Sequence, residues 1–439
     1  MIPKRILPSL PLFTVILALS IAVAPDGFAQ SKDHAPNATP EKDHNGGEEE
    51  ILAIYDQCTG GQAPAQTRLE ACSELLSNPQ LTDEDRALIL AFRGSSRIEI
   101  YDYSGALQDF SESLEIEPDN VTYLNGRARA LGLMGETELA IQDLDRAIEV
   151  SPSFSWLFVS RAIAYSDIGN DQAALRDLDQ AEDLDPTDPN LFNVRGGIHL
   201  NLDEYENALA AFSRAIQLAP DHAPFYERRG FAHLLAENSA DAIEDFTHAL
   251  DTENPSPSAY FYRGIAFEDL EDSDRALADY SAAVDIDPTL AQAWHSRGLI
   301  WYEMKDYARS REDLEIAAQI APNSDYLNSL AWMLVSAEDQ EHRDPEAALG
   351  HVEDSMNFDL NADNVDTAGG VYTLLGDIDQ AMAYYVQSME LGGEDRVRLY
   401  QEYLAERDYY DGDIDGVEGE ATRAAIRAFA EDGKVLLAD

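Results

Sequence analysis

Prolines stand at Pro118, Pro152, Pro186 and Pro220, each 34 residues beyond the last. At the next place Asn254 stands with Pro255 beside it, and the series resumes at Pro288 and Pro322. Twelve residues before these places lie Ala106, Ala140, Ala174, Ala208, Ala242 and Ala276, and Ser310 breaks the run. Gly94, Gly196, Gly230, Gly264 and Gly298 keep the same register, with Ala128 and Ala162 taking the glycine's place in two units. A fixed period of this length means that each unit is one supersecondary element stacked on copies of itself.

One unit shows the physics. From Asn190, apolar residues recur at helical spacing through LFNVRGGIHL, LDEY makes a turn, and ENALAAFSRAIQLAP reads as a second amphipathic helix. Gly196 and Ala208 let the two helices approach closely, and the ring of Pro220 cannot continue the hydrogen-bond ladder. A single hairpin cannot bury its own apolar face, so stability requires repetition.

The period, the paired helices, the small-residue places and the closing proline resemble the tetratricopeptide repeat family. The resemblance implies an all-α chain, an α-solenoid built as a right-handed superhelix of helical hairpins. It covers seven units over 87–324 and two divergent units over 325–395, the first of these with extra loop residues around 337–345. The second divergent unit is recognised from Gly369, Tyr372, Gly376, Ala381 and Tyr385. The family generally holds a peptide or protein segment in a groove made by the first helices. By register the groove candidates are Asn193, Arg195, Phe231, Phe261, His295, Tyr302 and Trp332. The Lys and Asn set of the family's best-known charged clamp is not found, so no particular peptide is implied.

Arg93, Arg127, Arg161, Arg195, Arg229, Arg263 and Arg297 share one place in seven consecutive units. They are either a row of anion-binding groups or one half of a structural pairing. Sixteen residues on lie Asp109, Asp143, Asp177, Asp245, Asp279 and Asp313, on the facing helix of each hairpin. That offset favours charge-assisted pairing inside the hairpin. For Arg195 the partner place holds Ala211, so this arginine must borrow a neighbour's carboxylate or meet a ligand.

The first 29 residues read as a secretory signal: Lys4 and Arg5, an apolar core from Leu12 to Ala24, and small residues at Gly27 and Ala29. An uncleaved anchor is the other arrangement these residues allow. Residues 30–50 are polar with Pro and Gly, a disordered linker. Residues 51–86 read as an N-terminal capping hairpin containing the only two cysteines, Cys58 and Cys72. In an oxidising compartment they are expected to form a disulfide, with two separate buried thiols as the alternative. The expected location is outside the cytoplasm, in the bacterial periplasm, with no membrane insertion once the signal is cleaved.

The chain carries 84 acidic and 30 basic side chains, a formal charge of -54. Nucleic acid is excluded as a partner, because neutralising phosphates requires clustered Lys and Arg. The charge reads either as a solvated, salt-tolerant surface or as attraction to a basic partner.

Near the end lies DYYDGDIDGVEGEATRAAIRAF, Asp408 to Phe429. Asp411, Asp413, Asp415 and Gly416 open like an EF-hand loop, but the twelfth place, which should supply a bidentate Glu, is Thr422. Leu399, Gln401 and Leu404, the Tyr409–Tyr410 pair, the spaced glycines, Thr422–Arg423 and Phe429 resemble the peptidoglycan-binding-like domain of bacterial wall enzymes. The module is placed at 396–439. The resemblance implies Tyr409, Tyr410, Asp415, Gly416, Gly419, Thr422 and Arg423 as wall-binding candidates. Thr422 or Glu420 should cap the last helix, and Ile414, Ile426 and Phe429 should fill a small core. Ala430 stands where the family usually has Gln, and the loop is more acidic than usual.

No HExxH, GxSxG, P-loop or Rossmann fingerprint occurs, and the nine histidines lack metal-ligand spacing. The reading is therefore a non-catalytic scaffold without cofactor or metal. Its partners are a protein or peptide ligand and, through the terminal module, peptidoglycan. The alternatives are a pure interaction array capped by its last domain, or an accessory of a wall-processing enzyme.

Overall fold

The computed structural model describes residues 47–61 and 63–437. The signal reading of 1–29 and the linker up to residue 46 lie outside the described residues. Within them are 21 α-helices, one 3-10 turn and no strand. Two compact units divide the chain between Ala236 and Glu237, and each is described by itself.

The first unit opens with α1 (Gly47–Thr59) and α2 (Ala65–Leu76). Cys58 and Cys72 join them in a disulfide with Cα atoms 4.9 Å apart. Ala71, Leu75 and Ile89 close around this bridge, so the hairpin packs onto α3 (Asp83–Glu99). Two boundaries differ from the sequence expectation. Residues 47–50, assigned to the linker, belong to α1. The first repeat helix begins at Asp83, because Thr82 accepts a hydrogen bond from the Asp85 amide and three acidic residues fill the first turn.

There follow α4 (Tyr103–Ile116), α5 (Val121–Leu133), α6 (Thr137–Val150), α7 (Ser155–Asp167), α8 (Asp171–Leu184), α9 (Pro189–Asn201), α10 (Tyr205–Leu218) and α11 (Ala223–Leu235). The second unit holds α12 (Ser239–Leu250), α13 (Pro257–Asp269), α14 (Ser273–Ile286), α15 (Ala291–Glu303), α16 (Tyr307–Ile320), α17 (Ser324–Ser336), α18 (Pro345–Phe358), α19 (Ala362–Leu375), α20 (Ile378–Ala405) and α21 (Glu420–Glu431). First helices start at 121, 155, 189, 223, 257 and 291, and second helices at 103, 137, 171, 205, 239, 273 and 307. The 34-residue period is thus kept to the residue. The extra residues after α17 form a 3-10 turn, Gln340–His342.

The small-residue places have a direct cause. A Cβ on Gly196 would lie 2.6 Å from the ring of Phe212, and one on Gly264 would lie 2.5 Å from Tyr280. Each ring is fully buried on the facing helix. Glycine there lets an aromatic side chain fill the space between the two backbones.

The helix α20 carries one non-helical residue, Gly393, at φ 62° and ψ -153°. Its N-terminal part completes the last hairpin and its C-terminal part begins the terminal module. Tyr385 and Met389 on one side of the break share a core with Leu404, Ile426 and Phe429 on the other. Ile414, expected in that core, is 41% exposed, because the loop is held from inside by a polar side chain. Neither Thr422 nor Glu420 caps α21; the N-cap is Gly419, without a side-chain bond.

Candidate groove recess and terminal loop

The arginine ladder is closed. Arg93, Arg127, Arg161, Arg263 and Arg297 each hold the aspartate sixteen residues on by two bonds of 2.6–2.9 Å. Asp109 is 1% exposed and Asp313 3%, so each carboxylate leaves water only with a planar donor fork against it.

A second set of partners escaped the sequence reading. Arg161 reaches back to Asp145 at 2.6 Å, and Arg229, Arg263 and Arg297 reach Ser213, Thr247 and Ser281 at 3.1 Å. These residues lie sixteen places earlier, on the second helix of the preceding hairpin. The signal was present, since a hydrogen-bonding residue recurs there every 34 positions. Arg195, whose forward partner is Ala211, pairs backward with Asp179 at 3.1 Å and with Glu182. It borrows carboxylates from α8, and its guanidinium lies 5.7 Å from the Phe192 ring centre.

The other groove candidates divide by environment. Asn193 is 7% exposed, and its Oδ1 has no hydrogen-bond partner. Phe231 is half-buried beside Phe212 and Ala232. Phe261 is buried, its ring centre 5.3 Å from Tyr262 and 5.8 Å from Tyr280. His295 Nε2 lies 2.9 Å from Ser329 Oγ, and burial pushes the imidazole down to about 4, so it is neutral at pH 7.

Tyr302 and Trp332 meet in a shallow recess that opens to solvent, with a cavity volume of about 40 Å³. It is formed on α15, α17 and α19, with Arg396 from α20 and Leu437 from the last described residues. Asp363, Asp366 and Arg396 supply its charges, and Leu299 and Met333 its apolar floor. Arg396 pairs with Asp363 and lies 4.0 Å from Asp366. Asp366 is 4% exposed and accepts from the Tyr400 hydroxyl, which in turn lies 3.0 Å from Ser388 Oγ. Burial raises the Asp366 carboxyl to about 6, with Arg396 pulling the other way. Asn328 Oδ1, also lining the recess, is buried and has no hydrogen-bond partner.

In the terminal module the loop 411–419 winds around Gln401, a residue with no measurable exposure. Gln401 Oε1 accepts from the amides of Asp415 at 3.1 Å and Gly416 at 2.9 Å. Its Nε2 lies within 2.9–3.3 Å of Asp415 Oδ1, Val417 O, Thr422 Oγ1 and Tyr410 Oη. The centre that a cation would occupy in an EF-hand is filled by this amide. Of the wall-binding candidates, Tyr410, Asp415, Gly416 and Thr422 therefore converge on Gln401. Gly416 needs its positive φ of 71°. Tyr409 stacks edge-on to Phe429 at 4.9 Å and accepts from Lys434 at 2.6 Å. Arg423 is tied to Glu418 at 2.6 Å. Facing water on the same loop are Ile414 and, at 62% exposure, Val417.

Family models agree with both parts. Tetratricopeptide repeat models match 121–154, 159–223 and 229–291, and a putative peptidoglycan binding domain model matches 393–432. Among solved structures, a tetratricopeptide repeat protein from Parabacteroides merdae is 19% identical over 62% of this chain and 98% of its own, with a TM-score of 0.44. The human IFIT1 dimer with PPP-AAAA is 16% identical over 79% and 84%, with a TM-score of 0.50. The APC/C hetero-tetramer Cut9–Hcn1 is 15% identical over 79% and 66%, with a TM-score of 0.47. Of these only the IFIT1 structure reaches a TM-score of 0.50, and at its identity it bears on the fold alone. No curated protein sequence matches the chain. The chain is a tetratricopeptide repeat array followed by a small helical peptidoglycan-binding-like module.

Proposed function

We propose that this tetratricopeptide repeat protein is an exported, non-catalytic scaffold. Its first helices hold a peptide or protein segment, and its terminal module docks on peptidoglycan. The recess carries the reading: Tyr302 and Trp332 line an open cleft with Asn328, Asp363 and Arg396, an apolar body with a few convergent polar groups. Repeat families of this kind generally act as scaffolds, and the buried aspartates of the ladder are tied to arginines rather than facing one another across a cleft. Among the described residues no helix is long and apolar enough to cross a membrane. The module's match to a putative peptidoglycan binding domain supports the cell wall as the place of work.

Wall docking is assigned to the exposed side of the loop, around Ile414, Val417 and Arg423, because the buried side is spent on Gln401. Co-sedimentation of the full mature chain with purified peptidoglycan tests this. The chain should pellet with the wall, and Val417→Ser with Ile414→Ser should release it without lowering the melting temperature.

A second reading has its own support. Val435, Leu436 and Leu437 are buried against the last repeat helices, and Val435 stands where a Cβ on Gly370 would lie, 2.7 Å away. The module then serves as a cap over the last apolar face. Absence of any sedimentation by the full chain would leave it that role alone.

A further inference from the structure

The recess on α15, α17 and α19 has more acceptors than donors. Its two carboxylates, Asp363 and Asp366, share one guanidinium, Arg396. Ser329 Oγ is already engaged by His295, and Thr367 Oγ1 is turned to the Asp363 carbonyl at 3.0 Å. Asn328 Oδ1 is left buried and unbonded. An orphaned buried acceptor is destabilising, and a donor arriving from outside would remove that penalty.

The walls have matching chemistry. Trp332 and Tyr302 offer aromatic rings beside these acceptors, and an aromatic face attracts a cation. Elsewhere in the same unit guanidinium groups take that position, Arg297 4.7 Å from Trp294 and Arg309 4.5 Å from Trp301. The surrounding field has the same sign: residues 237–437 carry 45 acidic against 13 basic side chains. Such a field raises the local concentration of cations and speeds their approach.

We propose that the recess receives an arginine or lysine side chain of a basic peptide segment, its donors bonding Asn328 Oδ1 and the Asp363 carboxylate and its stem lying against Trp332. This rests on the groove reading above and names the chemistry of the groove's occupant. Asp363 is the outward carboxylate of the pair, 49% exposed against 5% for Asp366; its Oδ1 accepts from Arg396, so its other oxygen is the one that meets the ligand.

The test uses the full mature chain and short labelled Gly–Ser peptides carrying arginine, lysine, glutamate or glutamine, followed by fluorescence anisotropy. Arginine and lysine peptides should bind, and glutamate and glutamine peptides should not. Asp363→Asn should weaken binding about tenfold, the effect of losing one charge-assisted hydrogen bond. Asn328→Leu should weaken it too while holding or raising the melting temperature, because it removes an orphaned acceptor; a merely structural role for Asn328 would lower both. Glu253→Gln, an exposed change on the same unit, should leave binding unchanged. The same loss in Glu253→Gln as in Asp363→Asn would assign the binding to the diffuse field and overturn the recess. Binding of the glutamine peptide that Trp332→Ala abolishes would overturn the cationic occupant and leave the groove reading standing. Binding of no peptide at all would overturn both.

Discussion

Asp366 is the side chain whose burial has the clearest thermodynamic consequence. Its carboxyl is raised from 3.8 to about 6 because the charged form has lost its water, and Tyr400 and Arg396 compensate only in part. Between those values the folded chain holds a proton that the unfolded chain has released, so stability falls as pH rises through the window. Below it both states are protonated and the linkage vanishes. The full amplitude is about 3 kcal/mol, from roughly two pKa units at 1.36 kcal/mol each. Asp366→Asn should remove this slope: the difference in unfolding free energy between variant and parent should grow in the variant's favour from pH 4 to 6 and then level off. A flat difference would mean that water reaches the carboxylate. Gln401 has the opposite character, a neutral group whose polar atoms are all engaged. Gln401→Ala should cost about 3 kcal/mol, since its several partners, of which Gly416 and Thr422 are buried, lose their bonds at about 1 kcal/mol each. It should also expose the loop 411–419 to proteolysis. Normal stability would mean that the loop is held by its glycines alone. Gln401 was visible in the sequence as a motif residue but not as a hub, because a hydrogen-bond centre has no periodicity.

At the scale of the helical hairpin, the turns are as regular as the helices. Tyr101, Gly135, Gly169, Asp203, Glu237, Glu271 and Lys305 all have positive φ and follow one another at the repeat period. Only two of the seven are glycines, so the other units hold a side chain in a left-handed conformation that costs an L-residue about 1 kcal/mol. Glu271→Gly should therefore raise stability by up to about 1 kcal/mol, less the entropy glycine adds to the unfolded chain. Thermal unfolding of the variant checks this, and a lowered melting temperature would show that the entropy term wins. Helix starts, closing prolines and forward Arg–Asp pairs were legible because each recurs at a fixed place and obeys a local rule. The backward partners of Arg161, Arg263 and Arg297 recur equally, but chemically they vary among Asp, Thr and Ser, so their shared role became visible only with the hairpins stacked. Ile414 was misplaced for a different reason. In a loop no periodicity fixes which residue points inward, and the polar Gln401 had already taken the interior. The start of α3 was missed although Thr82 and the acidic run after it spell an N-terminus, because the repeat register was given precedence over the cap.

For the molecule as a whole, repetition multiplies whatever one unit does electrostatically. Five hairpins neutralise a buried aspartate with their own arginine, yet the full chain retains a charge of -54. The excess is therefore on the surface, where like charges recur every few residues and repel. Repulsion of this kind is screened over about 8 Å at physiological ionic strength and over about 30 Å at 0.01 M. Two effects then compete as salt is added. Screening relieves the surface and stabilises the fold, while it weakens ion pairs. The pairs of the ladder are two-point bonds to carboxylates only a few per cent exposed, where salt acts least, and isolated surface pairs contribute at most about 1 kcal/mol each. Relief of repulsion should therefore win. The melting temperature should rise steadily from 0.01 M to about 1 M NaCl, and the basic peptides bound at the recess should weaken over the same range. A melting temperature that fell with salt would show that exposed ion pairs, rather than the stacked apolar faces, hold the array together.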